Sequence, residues 1–158
     1  AIIKALEILN NKDIHIVVAG SGSPKDIQID SPTVQKNTHF IGMIKNMNEL
    51  YPVADALIHP TLGDTYGMVV LEAMSHKLPV IVSSAQYCGF SEHLSNDETL
   101  ILENPEDSNI IKEQIQKLYD NKLLRVNLSE KGLQKSRKIS WDNTLKSTIQ
   151  AYKQIDSR

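Results

Sequence analysis

Apolar positions along this chain switch repeatedly between two spacings, and each switch marks a change of element. From Ile2 to Asn10 the apolar residues fall at 2, 3, 5, 6, 8 and 9, the pattern of a mostly buried helix. His15-Ile16-Val17-Val18-Ala19 is a short buried strand, ended by the turn-forming run Gly20-Ser21-Gly22-Ser23-Pro24. Residues 25–37 carry no clear period and read as irregular. Thr38-His39-Phe40-Ile41 is a strand closed by Gly42, residues 46–51 form a short helix, and Ala56 to His59 is a strand stopped by Pro60. A helix then runs to about His76. Strands follow at Pro79 to Ser83 and Leu100 to Leu102, and helices at about 106–119, 123–137 and 141–155.

Short apolar strands alternating with helices predict a parallel α/β sheet covered on both faces. In a doubly wound sheet of strand order 3-2-1-4-5-6, ligands sit at the carboxyl ends of the strands. Residues 1–158 open on a helix, so the central strand that precedes it in that order is expected to lie upstream. The expectation is one domain over 1–158 whose sheet lacks its first strand. A gap-free sheet would contradict it.

Within that frame the most informative segment is Asp64-Thr65-Tyr66-Gly67-Met68-Val69-Val70-Leu71-Glu72. Strand, loop and helix succeed one another here, with Asp64 in the loop and Glu72 expected about two turns into the helix. A helix start offers unpaired amides and a positive dipole end, which suits a phosphate. A carboxylate on each side of that anion site could hold hydroxyl groups flanking a pyrophosphate, the arrangement of a nucleotide-sugar. Glu72 is flanked by Val69, Val70, Leu71, Ala73 and Met74, so it is expected to be buried and to need donors.

Charge narrows the partners. The net −2 conceals a division: residues 1–121 hold eight lysines against sixteen Asp and Glu, while residues 122–158 hold nine Lys and Arg against three. A basic tail, rather than a basic working surface, argues against nucleic acid. It reads most simply as a solvated helical face; the functional alternative is contact with anionic lipid headgroups or an acidic partner. No apolar run is long enough to span a bilayer, and the first residues lack the basic n-region of a signal peptide. One cysteine, Cys88, fits a reducing, cytoplasmic setting, with peripheral membrane contact as an option.

The stretch His59-Pro60-Thr61, then Asp64 to Glu72, Ala73-Met74, Leu78-Pro79-Val80-Ile81 and Cys88-Gly89-Phe90-Ser91-Glu92-His93 resembles the donor-binding half of retaining GT-B glycosyltransferases with a Glu-x7-Glu motif. Among these it is most similar to bacterial enzymes that build lipopolysaccharide core and other surface glycans. The resemblance implies a Rossmann-like parallel sheet, the C-terminal half of a GT-B fold. It also implies transfer of a hexose from an NDP-sugar, with UDP favoured, to a lipid-linked or surface-glycan acceptor held by an N-terminal domain. No metal or other cofactor is implied. By the same resemblance Glu72 holds the ribose hydroxyls, and the backbone of Thr65, Tyr66, Gly67 and Met68 holds the diphosphate. Phe40, Ile41, Gly42 and Met43 meet the nucleobase, and Gly20 lines the donor cleft.

Asp64 stands where the family has its first Glu, near the donor sugar, and takes the catalytic position; it is shorter by one methylene. The family's diphosphate-neutralising Arg and Lys precede the first helix and are not among residues 1–158. This segment alone is therefore expected to bind nucleotide weakly and not to turn over. The rival readings are an NDP-sugar epimerase or hydrolase of the same architecture and a non-catalytic nucleotide-sugar-binding domain.

The remaining residues carry less. Gly20-Ser21-Gly22 lacks the third glycine of a dinucleotide fingerprint, since Lys25 holds that place. His15, His39, His59, His76 and His93 show no metal-ligand spacing, and His15 and His39 read as packed or edge strand residues. His59, at a strand's carboxyl end, can face the cleft. Cys88 reads as a small packed residue, and the helix bearing Trp141, Leu145, Ile149 and Tyr152 as a packing helix.

Overall fold

The computed structural model describes residues 1–156. Helices α1 (Ile2–Leu9), α2 (Pro32–Asn37), α3 (Met68–Ser75), α4 (Ser108–Asp120), α5 (Lys122–Lys138) and α6 (Trp141–Asp156) alternate or follow strands β1 (Ile16–Ala19), β2 (Thr38–Gly42), β3 (Leu57–His59), β4 (Val80–Ser83) and β5 (Leu100–Leu102). Every pairing between these strands is parallel. The strands form two sheets, β1-β2 and β3-β4-β5. Laid on the order 3-2-1-4-5-6, these are its two flanks, and the break falls where the first strand would lie.

The side-chain period of two divides the core between the sheet's faces. Ile58 and Ile81 join Leu102 on one face, against Ala5 and Leu6 of α1 and Ile111, Ile115 and Leu118 of α4. Leu57, Val80 and Val82 turn to the other, against Val70, Ala73 and Met74 of α3, with Tyr51, Cys88 and Phe90. β4 is buried on both faces, as a central parallel strand requires. A fully buried aliphatic side chain contributes roughly 1.5–3 kcal/mol, so β4 is a firm base for the loops at its carboxyl end. Side-chain bonds extend that base: Ser83 Oγ donates to the Thr61 carbonyl at 2.8 Å, and Ser91 Oγ to the Ser83 carbonyl at 2.6 Å.

Two segments differ from the sequence expectation. Residues 25–37 are not irregular throughout; they hold a 3-10 turn, Pro24–Asp26, and helix α2. Ser31 caps α2, accepting from the Val34 amide at 3.4 Å, and Pro32 takes the first turn. Glu7 Oε1 accepts from the Asp30 and Ser31 amides at 2.8 and 3.1 Å, tying the entry to α1. Six residues are too few to display a helical period, but Ser-Pro is a start signal. The helix expected at 46–51 is instead a pair of 3-10 turns, Met47–Glu49 and Tyr51–Val53. Pro52 has no amide to continue an α-helix from Asn48.

The C-terminal third also departs. Leu145, Ile149 and Tyr152 of α6 are exposed rather than packed; α1, α4 and α5 supply side chains to one core cluster and α3 to the other. The Trp141 side chain lies outside the described residues. Part of the basic charge is spent internally: Lys131 pairs with Asp97 at 2.8 Å and Lys135 with Glu98 at 3.6 Å. Arg125 donates to the carbonyls of Leu118 and Tyr119, closing the end of α4. His15 and His39 are exposed, with Nδ1 of the first 3.0 Å from Nε2 of the second. Among the described residues no helix is long and apolar enough to cross a membrane.

Candidate functional site

β3 ends at His59, where Pro60 interrupts its ladder, and the chain passes through Thr61, Leu62 and Gly63 to Asp64. That loop is stitched to the segment following β4. Asp64 and Cys88 form an isolated parallel bridge, with the Asp64 amide donating to the Tyr87 carbonyl (2.9 Å) and the Gly89 amide to the Asp64 carbonyl (3.1 Å). The Phe90 amide donates to the Tyr66 carbonyl at 2.7 Å. Two glycines permit so close an approach. A Cβ on Gly89 would stand 2.2 Å from the Thr65 carbonyl oxygen. Gly67 has φ +86°, and a Cβ there would stand 2.5 Å from Cys88 Sγ. Cys88 is thus the small packed residue expected of it, filling the space opposite Gly67.

The Asp64 carboxylate turns back into its own loop. Oδ1 accepts from the Tyr66 amide at 3.2 Å and the Gly67 amide at 2.8 Å, and Oδ2 lies 3.1 Å from His59 Nε2. Partial burial works to raise the Asp64 carboxyl, but the His59 ring, the two amides and the His59 charge outweigh it and hold the group below the ordinary carboxylate range. Two of the amides assigned from the sequence to a diphosphate, those of Tyr66 and Gly67, are therefore engaged by Asp64. α3 begins at Met68 with no side-chain cap, because Gly67 at its N-cap has no side chain. Its first-turn amides and dipole end present a positive potential at the carboxyl end of the sheet.

Glu72 differs from its expected environment. It lies just over one turn into α3, since the helix starts at Met68, and it is exposed rather than buried among its apolar neighbours. A 3.6-residue period places Val70, Ala73 and Met74 on the core face and leaves Glu72 on the outer one. Its donor is Tyr51, whose hydroxyl bonds Glu72 Oε2 at 2.9 Å. Burial first, then the hydrogen bond and charge of Glu72, push the Tyr51 hydroxyl far above the usual phenol range, so it stays a donor.

The other sequence-assigned residues gather at the carboxyl ends of β1 and β2. The Gly20 amide donates to the Gly42 carbonyl at 2.9 Å. Register along the pair slips by one, with Val18 opposite Phe40 and Ala19 opposite Gly42, so Ile41 is the extra residue of a bulge. Ile41 is exposed, and Met43 beyond it is 80% exposed. Both apolar side chains stand open at this end of β2.

The sequence reading reached Asp64, Glu72 and the loop between them, and it identified His59 as able to face this end of the sheet. It did not reach Tyr51, which lay at the end of an expected helix with no chemical signal of its own. Nor did it see that Asp64 and His59 would pair, although an Asp side chain commonly accepts from backbone amides two residues on in a turn.

Known proteins share the sequence pattern and the fold of this chain. The family model described as "Glycosyl transferases group 1" matches residues 1–121. A glycosyltransferase of Methanocaldococcus jannaschii, MJ1607, is 30% identical over 155 residues, covering 93% of this chain and 39% of that protein. The lipopolysaccharide glucosyltransferase WaaG of Escherichia coli is 29% identical over 119 residues, covering 73% of this chain and 31% of that protein. The crystal structure of Anabaena Alr3699/HepE in complex with UDP superposes with a TM-score of 0.81 at 15% identity, over 99% of this chain and 44% of that one. The chain thus spans well under half the length of these relatives, and the likeness to the UDP complex is one of fold.

Proposed function

The chain belongs to the glycosyl transferases group 1 family, and on that premise we propose that it is the nucleotide-sugar-binding domain of a retaining hexosyltransferase. One observation carries the reading. Asp64 and Glu72 bracket an uncapped helix start at the carboxyl ends of parallel strands, a site for two phosphates with hydroxyl-binding groups on either side.

In this reading the diphosphate lies against the first turn of α3, at the amide of Met68 and within reach of the turn from Thr65 to Gly67. Glu72 receives the ribose hydroxyls in charge-assisted bonds. Phe40, Ile41, Gly42 and Met43 offer the nucleobase an apolar ledge and backbone groups, and Gly20 leaves the neighbouring wall without a side chain. Asp64 stands beside the hexose. The helix dipole, together with basic groups of the complete protein, offsets the charge that develops on the leaving diphosphate. No metal is needed, so excess EDTA should leave turnover unchanged.

The donor is a UDP-sugar by preference, since the Anabaena structure of the same fold holds UDP. The acceptor is a lipid-linked or surface-glycan chain, in line with the lipopolysaccharide transferase among the relatives. Arg137, Lys138 and Lys146, exposed or partly exposed near the chain end, would favour an anionic lipid surface where such acceptors reside. The test is incubation of the full-length protein with a panel of UDP- and GDP-sugars, following donor consumption and the anomeric configuration of the product. Consumption of one UDP-hexose with retention supports the proposal; inversion, or a product formed equally well without acceptor, sinks it.

A non-catalytic binding domain is the second reading, favoured by Asp64, whose two oxygens are already engaged by His59 and two amides. Tight UDP binding with no donor consumed would select it.

A further inference from the structure

Glu72 and Tyr51, whose hydroxyl bonds its carboxylate, differ sharply in exposure. Glu72 stands exposed on the outer face of α3, and a free glutamate in that position samples several rotamers, which weakens any grip it makes. Tyr51 is 3% exposed and belongs to the cluster of Val70, Met74 and Leu78. Its ring centroid lies 5.1 Å from that of His76, and Pro52 stiffens the 3-10 turn that presents it. The neighbouring polar side chains do not reach the Glu72 carboxylate: Ser75 Oγ and His76 Nδ1 lie against the Glu72 backbone carbonyl, at 2.6 and 3.0 Å. Among the described residues Tyr51 alone bonds the carboxylate.

We propose that Tyr51 is the positioning residue of this site, its hydroxyl holding the Glu72 carboxylate in the orientation that receives the two ribose hydroxyls of a nucleotide. The proposal rests on the reading of Glu72 as the ribose ligand. A carboxylate has about four lone-pair sites; Tyr51 occupies one on Oε2 and leaves Oε1 and the rest for a diol. A buried, protonated phenol is suited to the task, because it donates and carries no charge that would compete for the carboxylate.

The test compares the affinities of UDP and 2′,3′-dideoxy-UDP for the full chain by calorimetry, in wild type, Tyr51→Phe and Glu72→Ala. Phe keeps the ring and its packing and removes only the hydroxyl. The ratio of the two affinities should fall about three- to tenfold in Tyr51→Phe, through weaker UDP binding, with the dideoxy affinity and the melting temperature held. A merely structural role would lower both affinities in parallel and leave the ratio unchanged, which overturns the proposal. Glu72→Ala separates the two ideas. If it collapses the ratio while Tyr51→Phe preserves it, only the Tyr51 role fails. If it leaves the ratio untouched, the ribose reading fails and the Tyr51 role with it.

Discussion

His59 Nε2 lies 3.1 Å from Asp64 Oδ2, joining the last residue of β3 to the loop that it feeds. Together with the two amides on Oδ1, this bond makes Asp64 a brace of the loop. The depressed carboxyl sets the sign of its pH dependence. A group whose pKa is lower folded than unfolded stabilises the fold above its unfolded value, and that contribution is lost as the pH falls through the folded value. The stability difference between wild type and Asp64→Asn should therefore narrow as the pH falls below about 4. Urea midpoints at pH 5 and pH 3 measure it, and a difference that widens between them would contradict the depressed carboxyl.

Glu72 and Asp64 should separate kinetically. Glu72→Ala is expected to raise the Kd of bare UDP by about tenfold or more, the scale of one or two charge-assisted bonds. Asp64→Ala should reduce sugar-dependent turnover more than it reduces UDP affinity. Titration of UDP alone, set beside kcat with the donor identified by the panel, checks both. Equal loss of UDP binding in the two variants would remove this division of roles.

Gly67 and Cys88 are coupled by sterics. Gly67→Ala adds a Cβ at φ +86° and 2.5 Å from Cys88 Sγ, for an expected loss of about 2–4 kcal/mol. In a Cys88→Ala background the collision is gone and the left-handed backbone remains, so the loss should shrink to about 1–2 kcal/mol. A double-mutant cycle on denaturation midpoints reads the coupling directly; additive losses would show that Sγ is not the obstacle.

A change away from the site should leave binding alone. Asp107 caps α4, accepting from the Asn109 amide at 2.8 Å and the Ile110 amide at 3.4 Å. Asp107→Ala should cost about 0.5–2 kcal/mol of stability with UDP affinity unchanged below the melting transition. Thermal denaturation and calorimetry on the same preparation decide it.

The parts that could be read without coordinates are those where local chemistry is decisive. Val80 to Ser83 reads as a buried strand because an apolar run that short, between a proline and serines, fits little else. Asp64 to Glu72 reads as a loop passing into a helix because a polar, glycine-containing stretch gives way to an apolar run. α2 and the turns at 47–53 were misread for the converse reason: each spans too few residues for a period to emerge, and each depends on contacts such as Glu7 to the Asp30 and Ser31 amides.

The residues by themselves determined the alternating parallel architecture and the two carboxylates around a helix start. These follow from spacing, which every residue contributes locally. Only the tertiary structure decided what the carboxylates touch. Asp64 meets His59 because the loop after β3 folds back onto the strand end under its bridge to Cys88. Glu72 meets Tyr51 because packing turns the apolar side of α3 inward and brings the 3-10 turn at 51–53 beside its outer face. Hydrogen-bond partners distant in sequence depend on how helices and strands pack, and no local pattern encodes that.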